Sequence, residues 1–201
     1  MKTEIASRNE IGKMAKVIKN GGVIIYPTET AYGIGVDALN KKAILKVHKV
    51  KKQPTSKLIS IIVPSIEVAK KFGKINNGAE KIVEKFMPGP LTLIVKKQKK
   101  VPDILSRKTI AFRISSNKTA NAIARKFGGA ITATSANIHN EPPVYSSKKA
   151  FEVFDGKVDV IVDAGNLPRR KASTVYDVLN RAIVRKGPVS EKEIEKVILN
   201  E

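Results

Sequence analysis

Residues 23–35 read Val23-Ile24-Ile25-Tyr26-Pro27-Thr28-Glu29-Thr30-Ala31-Tyr32-Gly33-Ile34-Gly35. The first four form a short apolar run closed by proline, which lacks the N–H a ladder needs, so Val23–Tyr26 is predicted as a strand end. The residues after Pro27 are mostly small, hydroxylated or glycine, as in a loop leaving a strand. Upstream, Ser7 and Glu10 have capping-box spacing, and Ile11, Met14, Ala15 and Ile18 recur at helical spacing until Gly21-Gly22 stops them. The chain is thus expected to enter a helix almost at once and to pass from it into a strand.

Working outward, residues 41–51 read as a helix with Ile44, Leu45, Val47, His48 and Val50 on or near its buried side. Leu58–Val63 is nearly all apolar, as in a strand covered on both faces. Ser65 and Asn77 are placed to cap helices near 66–72 and 78–86, and Pro88-Gly89-Pro90 breaks the chain. Leu91–Val95, Thr109–Ile114 and Ala130–Thr134 read as strands, with a helix at 117–127 ended by Gly128-Gly129. A helix near 148–154 and a strand at 158–162 come next, then a hairpin of Thr174–Leu179 and Ala182–Arg185 about Asn180-Arg181. A second capping box, Ser190 with Glu193, opens a last helix over 190–200 that turns Ile194, Val197 and Ile198 inward. Strands interleaved with helices predict an α/β fold, and the closing hairpin makes its sheet mixed. The expectation is one domain over 1–201, a twisted, open, parallel and antiparallel sheet flanked by helices.

The 201 residues hold no cysteine, which excludes disulfides, thiolate metal sites and cysteine nucleophiles. An apolar share of 42% and a charged share of 28% are those of a globular protein with a sizeable core. No apolar run approaches the ~20 residues of a membrane span, and the opening residues carry no apolar signal stretch, so an intracellular, cytoplasmic protein is expected. Lys plus Arg is 38 against 18 for Asp plus Glu, a formal charge of +20. That field suits polyanions such as RNA, DNA or nucleotides, and it equally suits a lysine-rich surface of the heat-adapted kind. Aromatics are only 5% and tryptophan is absent, so base stacking is not advertised.

In open α/β sheets ligands bind beyond strand ends. Four such segments are rich in small, hydroxyl or basic residues: Pro27–Gly35, Lys51-Lys52-Gln53-Pro54, Thr132–Asn137 and Lys171–Thr174. Each has a plain structural reading as a tight loop, a solvated helix end, or turns and caps. Arg113 resists that treatment. Its strand neighbours Ile110, Ala111, Phe112 and Ile114 predict burial, and a buried arginine needs an anionic partner, either a protein carboxylate or a ligand. There is no G-x-x-x-x-G-K-[ST] and no G-x-G-x-x-G. His48 and His139, the two imidazoles, have no metal-site or triad spacing, and His48 reads as a half-buried helix residue.

Together the segments resemble the YrdC-type threonylcarbamoyl-AMP synthases. The resemblance rests on Tyr26–Gly35, Lys51–Pro54, Pro88–Thr92, Ile110–Arg113, Thr134–Asn137 and Ser173-Thr174, in the family's order, across roughly residues 10–188. The end of the chain falls where the family's short, single-domain members stop. The resemblance implies a nucleotidyltransferase that condenses L-threonine, bicarbonate and ATP, with Mg²⁺, into threonylcarbamoyl-adenylate and pyrophosphate. A downstream transferase then modifies tRNA, and tRNA binding by this chain itself is a further expectation. By similarity Thr30, Arg113 and Ser173 would hold threonine, with Arg113 forked onto its carboxylate. Lys51, Gln53, Lys57, Thr109, Ser135, Asn137 and Arg185 would line the ATP side. No protein nucleophile and no metal-ligating side chain is called for. Gln53 departs from the family's usual arginine, Ile138-His139-Asn140 from its usual loop, and Ile62 from a histidine of some members. The competing reading is a non-catalytic RNA-binding or ribosome-associated protein; a carbamoyl-adenylate-forming domain of hydrogenase maturation would need zinc fingers that this cysteine-free chain cannot supply.

Overall fold

The computed structural model of the chain describes residues 2–199. In chain order the first elements are β1 (Glu4–Ser7), α1 (Ile11–Lys19), β2 (Ile24–Pro27), β3 (Tyr32–Gly35), α2 (Lys41–Lys51) and β4 (Ile61–Ile62). Then come α3 (Ile66–Lys70), α4 (Asn77–Phe86), β5 (Leu91–Lys96), β6 (Thr109–Arg113), α5 (Lys118–Phe127), β7 (Ile131–Thr132) and β8 (Thr134–Ser135). The last are α6 (Ser147–Phe154), β9 (Val160–Asp163), β10 (Thr174–Asp177), β11 (Ala182–Arg185) and α7 (Glu191–Leu199).

The strands form two mixed sheets where one was expected. One runs β1-β9-β2-β3-β8 and the other β11-β10-β5-β6-β4-β7. They meet at Ala133, between β7 in one sheet and β8 in the other, where the Ala133 N–H donates to Ser60 O at 2.7 Å. The predicted strand over 130–134 is therefore split across that junction. Strand alternation explains how the core is shared. On β2, Ile25 joins the larger apolar cluster while Ile24 and Tyr26 join a smaller one with Met14 and Ile18 of α1 and Ile123 of α5. On β4, Ile61 and Ile62 divide in the same way.

The predicted helices and the closing hairpin are present, and the differences have local causes. The chain does not enter a helix at once: β1 comes first, pairing parallel with β9. It is an edge strand with only Ala6 buried and Ile5 55% exposed, so its sequence carries no apolar alternation. The Ser7–Glu10 box forms by half. Glu10 accepts from the Ser7 N–H at 2.6 Å, but the Ser7 hydroxyl accepts from Asn9 instead of the helix. Leu58–Val63 shortens to β4, because Leu58 is 59% exposed. Asn76, not Asn77, caps α4, its Oδ1 accepting from Ala79 N–H at 2.9 Å. At α7 the second box is complete, Ser190 and Glu193 each satisfying the other's N–H. Residue 200 of that expected helix lies outside the described residues.

Candidate active site

A cleft of about 310 Å³ opens between the two sheets. One wall is the Thr28–Gly33 turn and the Ala133–Ser135 segment; the other is Thr92 on β5, Ala111 and Arg113 on β6, Ser173 and Val175 on β10 and its approach, and Arg185 on β11. Pro143, Tyr145 and Arg170 come from loops at the mouth. Three arginines and no Asp or Glu line the cleft, which makes it a site for anions.

Glycine is needed at position 35, where β3 pairs with β2 behind the cleft. A Cβ on Gly35 would meet the Tyr26 ring at 2.7 Å and Ile24 at 3.1 Å, so β2 and β3 could not approach as they do. Tyr26 lies fully buried beneath, its hydroxyl donating to Thr132 O at 2.8 Å, and burial pushes its pKa up. The turn above is tied by Thr28. Its hydroxyl donates to Ala31 O at 2.7 Å, stands 3.1 Å from the Thr30 hydroxyl, and accepts from the Thr30 N–H at 3.2 Å.

Arg113 finds a protein carboxylate. Its Nε is 3.2 Å from Glu29 Oε1, with the two side chains 9% and 5% exposed. The other Glu29 oxygen accepts from the Ser115 hydroxyl. Arg185 is held separately: its Nε and Nη2 donate to Ser173 O at 3.0 and 2.9 Å, and Nη2 also reaches Ser173 Oγ at 2.9 Å. Ser173 Oγ is 2.9 Å from Thr92 Oγ1. Desolvation and then the Arg113 charge lower the Arg185 pKa, the mark of two guanidinium groups sharing one field.

Lys51 stands behind the cleft. It is 3% exposed, and its ammonium donates to Ser135 O, to Asn137 O at 2.9 Å and to Asn137 Oδ1 at 3.0 Å. Its own carbonyl accepts from His139 N–H at 2.7 Å, so the 135–139 loop is pinned to the end of α2 twice. Burial, with the Lys57 charge adding, pulls the Lys51 pKa down to about 8. Gln53 also turns inward, buried, with Nε2 at 3.1 Å from His48 Nδ1.

Of the residues singled out in the sequence, Thr30, Arg113, Ser135, Ser173 and Arg185 are brought together on the cleft. Asn137 touches it through the Ser135 hydroxyl, which donates to its Oδ1 at 2.6 Å. Lys51 and Gln53 underlie the loop, Lys57 is exposed beside them, and Thr109 stands at the far end of β6, opposite Lys96 and outside the lining. Glu29, Ser60, Thr92, Tyr145 and Arg170 were not singled out. Thr92 had left a trace as the end of the Pro88–Thr92 stretch, and Glu29 a stronger one: a buried strand arginine calls for a carboxylate, and Glu29 is the acid of the Pro27–Gly35 loop. Among the described residues no group of three or more His, Cys, Asp or Glu is gathered to hold a metal. The cleft lining offers hydroxyls, backbone carbonyls and guanidinium groups.

The family model of the Sua5, YciO and YrdC proteins, described as telomere recombination, matches residues 16–187. The chain belongs to this family. A Methanocaldococcus jannaschii relative is 34% identical over 186 residues, 91% of this chain and 88% of that protein. The threonylcarbamoyl-AMP synthase of Pyrococcus abyssi is 33% identical over 189 residues, 92% of this chain but 56% of that longer protein. The crystal structure of P. abyssi Sua5 complexed with L-threonine superposes with a TM-score of 0.89 at 31% identity, covering 98% of this chain and 60% of that one. The chain thus spans most of the M. jannaschii relative's length and little more than half of the P. abyssi protein's. No helix among the described residues is long and apolar enough to cross a membrane.

Proposed function

We propose that this chain is a threonylcarbamoyl-AMP synthase, condensing L-threonine, bicarbonate and ATP into threonylcarbamoyl-adenylate and pyrophosphate. The observation that carries the reading is the cleft itself. Three arginines without a lining carboxylate suit two anionic substrates held side by side. The threonine nitrogen takes up the bicarbonate carbon with loss of water. A carbamate oxygen then attacks the α-phosphorus, the bond to the α–β bridging oxygen breaks, and pyrophosphate leaves with that electron pair. Nothing in this sequence asks for a protein nucleophile; positioning and charge neutralisation suffice.

In this reading the terminal nitrogens of Arg113 receive the threonine carboxylate in a fork, beside Thr30 and the Ser173 segment. Ser135 and Arg185 face the nucleotide, with Asn137 and Lys51 holding the loop that carries Ser135. Magnesium arrives on the triphosphate. The product is a mixed anhydride, so a transferase acting on tRNA in the cytoplasm consumes it. The lysine-rich surface around residues 96–100 attracts tRNA weakly and with steep salt dependence.

The test is pyrophosphate release from ATP with L-threonine and bicarbonate each omitted in turn. Release that needs both is expected, and serine should serve poorly, since a lost methyl contact is worth roughly 1–3 kcal/mol. Salt-sensitive RNA binding with no threonine-dependent turnover would instead make the chain an RNA-binding protein.

A further inference from the structure

We propose that Glu29 is a positioning residue for Arg113, fixing the guanidinium so that its terminal nitrogens face the cleft and receive an α-carboxylate. The proposal rests on the threonine reading for the identity of that carboxylate, but not for the pairing. Glu29 Oε1 lies 3.2 Å from Arg113 Nε, an ion pair and not an aligned hydrogen bond, and among the described residues neither buried atom has a hydrogen-bond partner. The carboxylate thus takes the Nε edge and leaves the opposite edge uncommitted.

The support behind Glu29 is layered. Its Oε2 accepts from Ser115 Oγ, and that oxygen accepts from Asn117 N–H at 3.1 Å. Asn117 caps α5, its Oδ1 accepting from Thr119 and Ala120, and Asn121 Nδ2 returns to Ser115 O at 3.3 Å. The carboxylate is therefore held by the start of a helix and not by Arg113 alone. Its backbone belongs to the turn of the five-stranded sheet, while Arg113 ends β6 of the other. One ion pair ties the turn carrying Thr28 and Thr30 to the strand carrying the arginine.

A long, four-torsion side chain at a cleft edge loses its aim without such a hold, and a buried arginine without a counter-charge swings toward water. The competing outcome has the opposite sign. Glu29 is an anion near an anion site, so if it only repelled the ligand, its removal would tighten binding.

The experiment compares Glu29→Ala, Glu29→Asp and Glu29→Gln with wild type. Glutamine can present its oxygen to Arg113 and its amide to Ser115, so it rescues geometry; aspartate withdraws the carboxylate by one methylene. Expected for Glu29→Ala and Glu29→Asp is a rise in KM for L-threonine of about tenfold or more, with KM for ATP within about twofold. Glu29→Gln should stay within about threefold for both. An unchanged or lowered threonine KM in the folded Ala or Asp variant overturns the proposal, as does a parallel rise in both KM values. If Ala does not fold, Asp against Gln decides alone. A second arm needs no ligand: solvent exchange of the Arg113 Nε–H, followed by NMR, should be slow in wild type and faster in Glu29→Asp. Equal exchange overturns the proposal, even if wild type proves not to use threonine and the substrate reading fails by itself.

Discussion

Arg113 and Lys51 are both cations withdrawn from water at the edge of one cleft, and their partners differ in kind. Arg113 faces a carboxylate, Glu29, with the rest of its guanidinium toward the cavity. Lys51 faces only neutral oxygens, those of Ser135 and Asn137, which take up its donors. The first corner keeps its charge balanced and has hydrogen-bonding capacity left for a ligand. The second has an unbalanced charge, spends its donors on the protein, and titrates near pH 8. In the proposed function the first corner binds and the second is scaffold for the loop that binds.

The comparison breaks most sharply at Arg113. Arg113→Ala should raise the threonine requirement by about 2–5 kcal/mol, the usual loss when one side of a desolvated charge pair is removed. ATP dependence should change far less. Arg113→Lys should recover little, because an ammonium cannot reproduce the planar fork. Steady-state pyrophosphate release at varied threonine and varied ATP separates the two, with circular dichroism to show that the variant is folded. A folded alanine variant with unchanged threonine dependence would erase the distinction between the corners.

Lys51 carries the pH prediction. Its folded pKa of about 8 is below the unfolded value of 10.5, so the fold prefers the neutral amine. The group's stabilising contribution is complete above pH 10.5 and lost as pH falls through about 8. Function runs the other way, because an amine has one donor fewer than the ammonium for its three acceptors. Turnover at low ATP should therefore fall on an alkaline limb near pH 8, and Lys51→Met should flatten that limb. The same variant strands the Ser135 and Asn137 oxygens, at about 1–3 kcal/mol, read as a lower midpoint in thermal melts at neutral pH. A limb that survives in Lys51→Met belongs to another group.

This contrast marks how far the residues could be read without coordinates. Periodicity and caps located α2, α5 and the β10–β11 hairpin, because apolar spacing is a property of the segment itself. The edge strand β1 was invisible, since its ladder to β9 is made by backbone groups and only Ala6 of it is buried. Arg113 was legible as a buried cation in want of an anion; that the anion is Glu29 was not, because the pair joins two sheets. Lys51 was legible as a motif residue, but its facing was not. A helix terminus can point a lysine at solvent, at ligand or at a neighbouring loop, and only the packed 135–139 segment decides among them.

Gln53 sharpens the scaffold side further. If the Lys51–Pro54 segment faced phosphate directly, Gln53→Arg would add a charge-assisted contact and tighten ATP binding. Here Gln53 is 8% exposed and bonded to His48. A longer, charged side chain must break that bond and leave its pocket. The expected outcome is a loss of about 1 kcal/mol in stability, without tighter ATP binding. Nucleotide titration with a thermal melt on the same sample checks both halves.

The smallest effect comes from Lys57, which is exposed and adds its charge to the lowering of the Lys51 pKa. Burial is the larger cause and cannot be screened, whereas a charge acting from the surface can. Lys57→Gln should therefore move the alkaline limb upward by only a few tenths of a pH unit. Raising the salt should move the wild-type limb the same way and leave the Lys57→Gln limb where it was. A pH profile of turnover at two ionic strengths, for the two proteins, gives all four limbs. If the variant and the salt shift add instead of substituting for one another, the lysine at 57 is not the surface charge that Lys51 feels. If Lys57→Gln weakens ATP binding at every pH, Lys57 is itself a phosphate contact, and the line between binding corner and scaffold corner runs between Lys51 and Lys57.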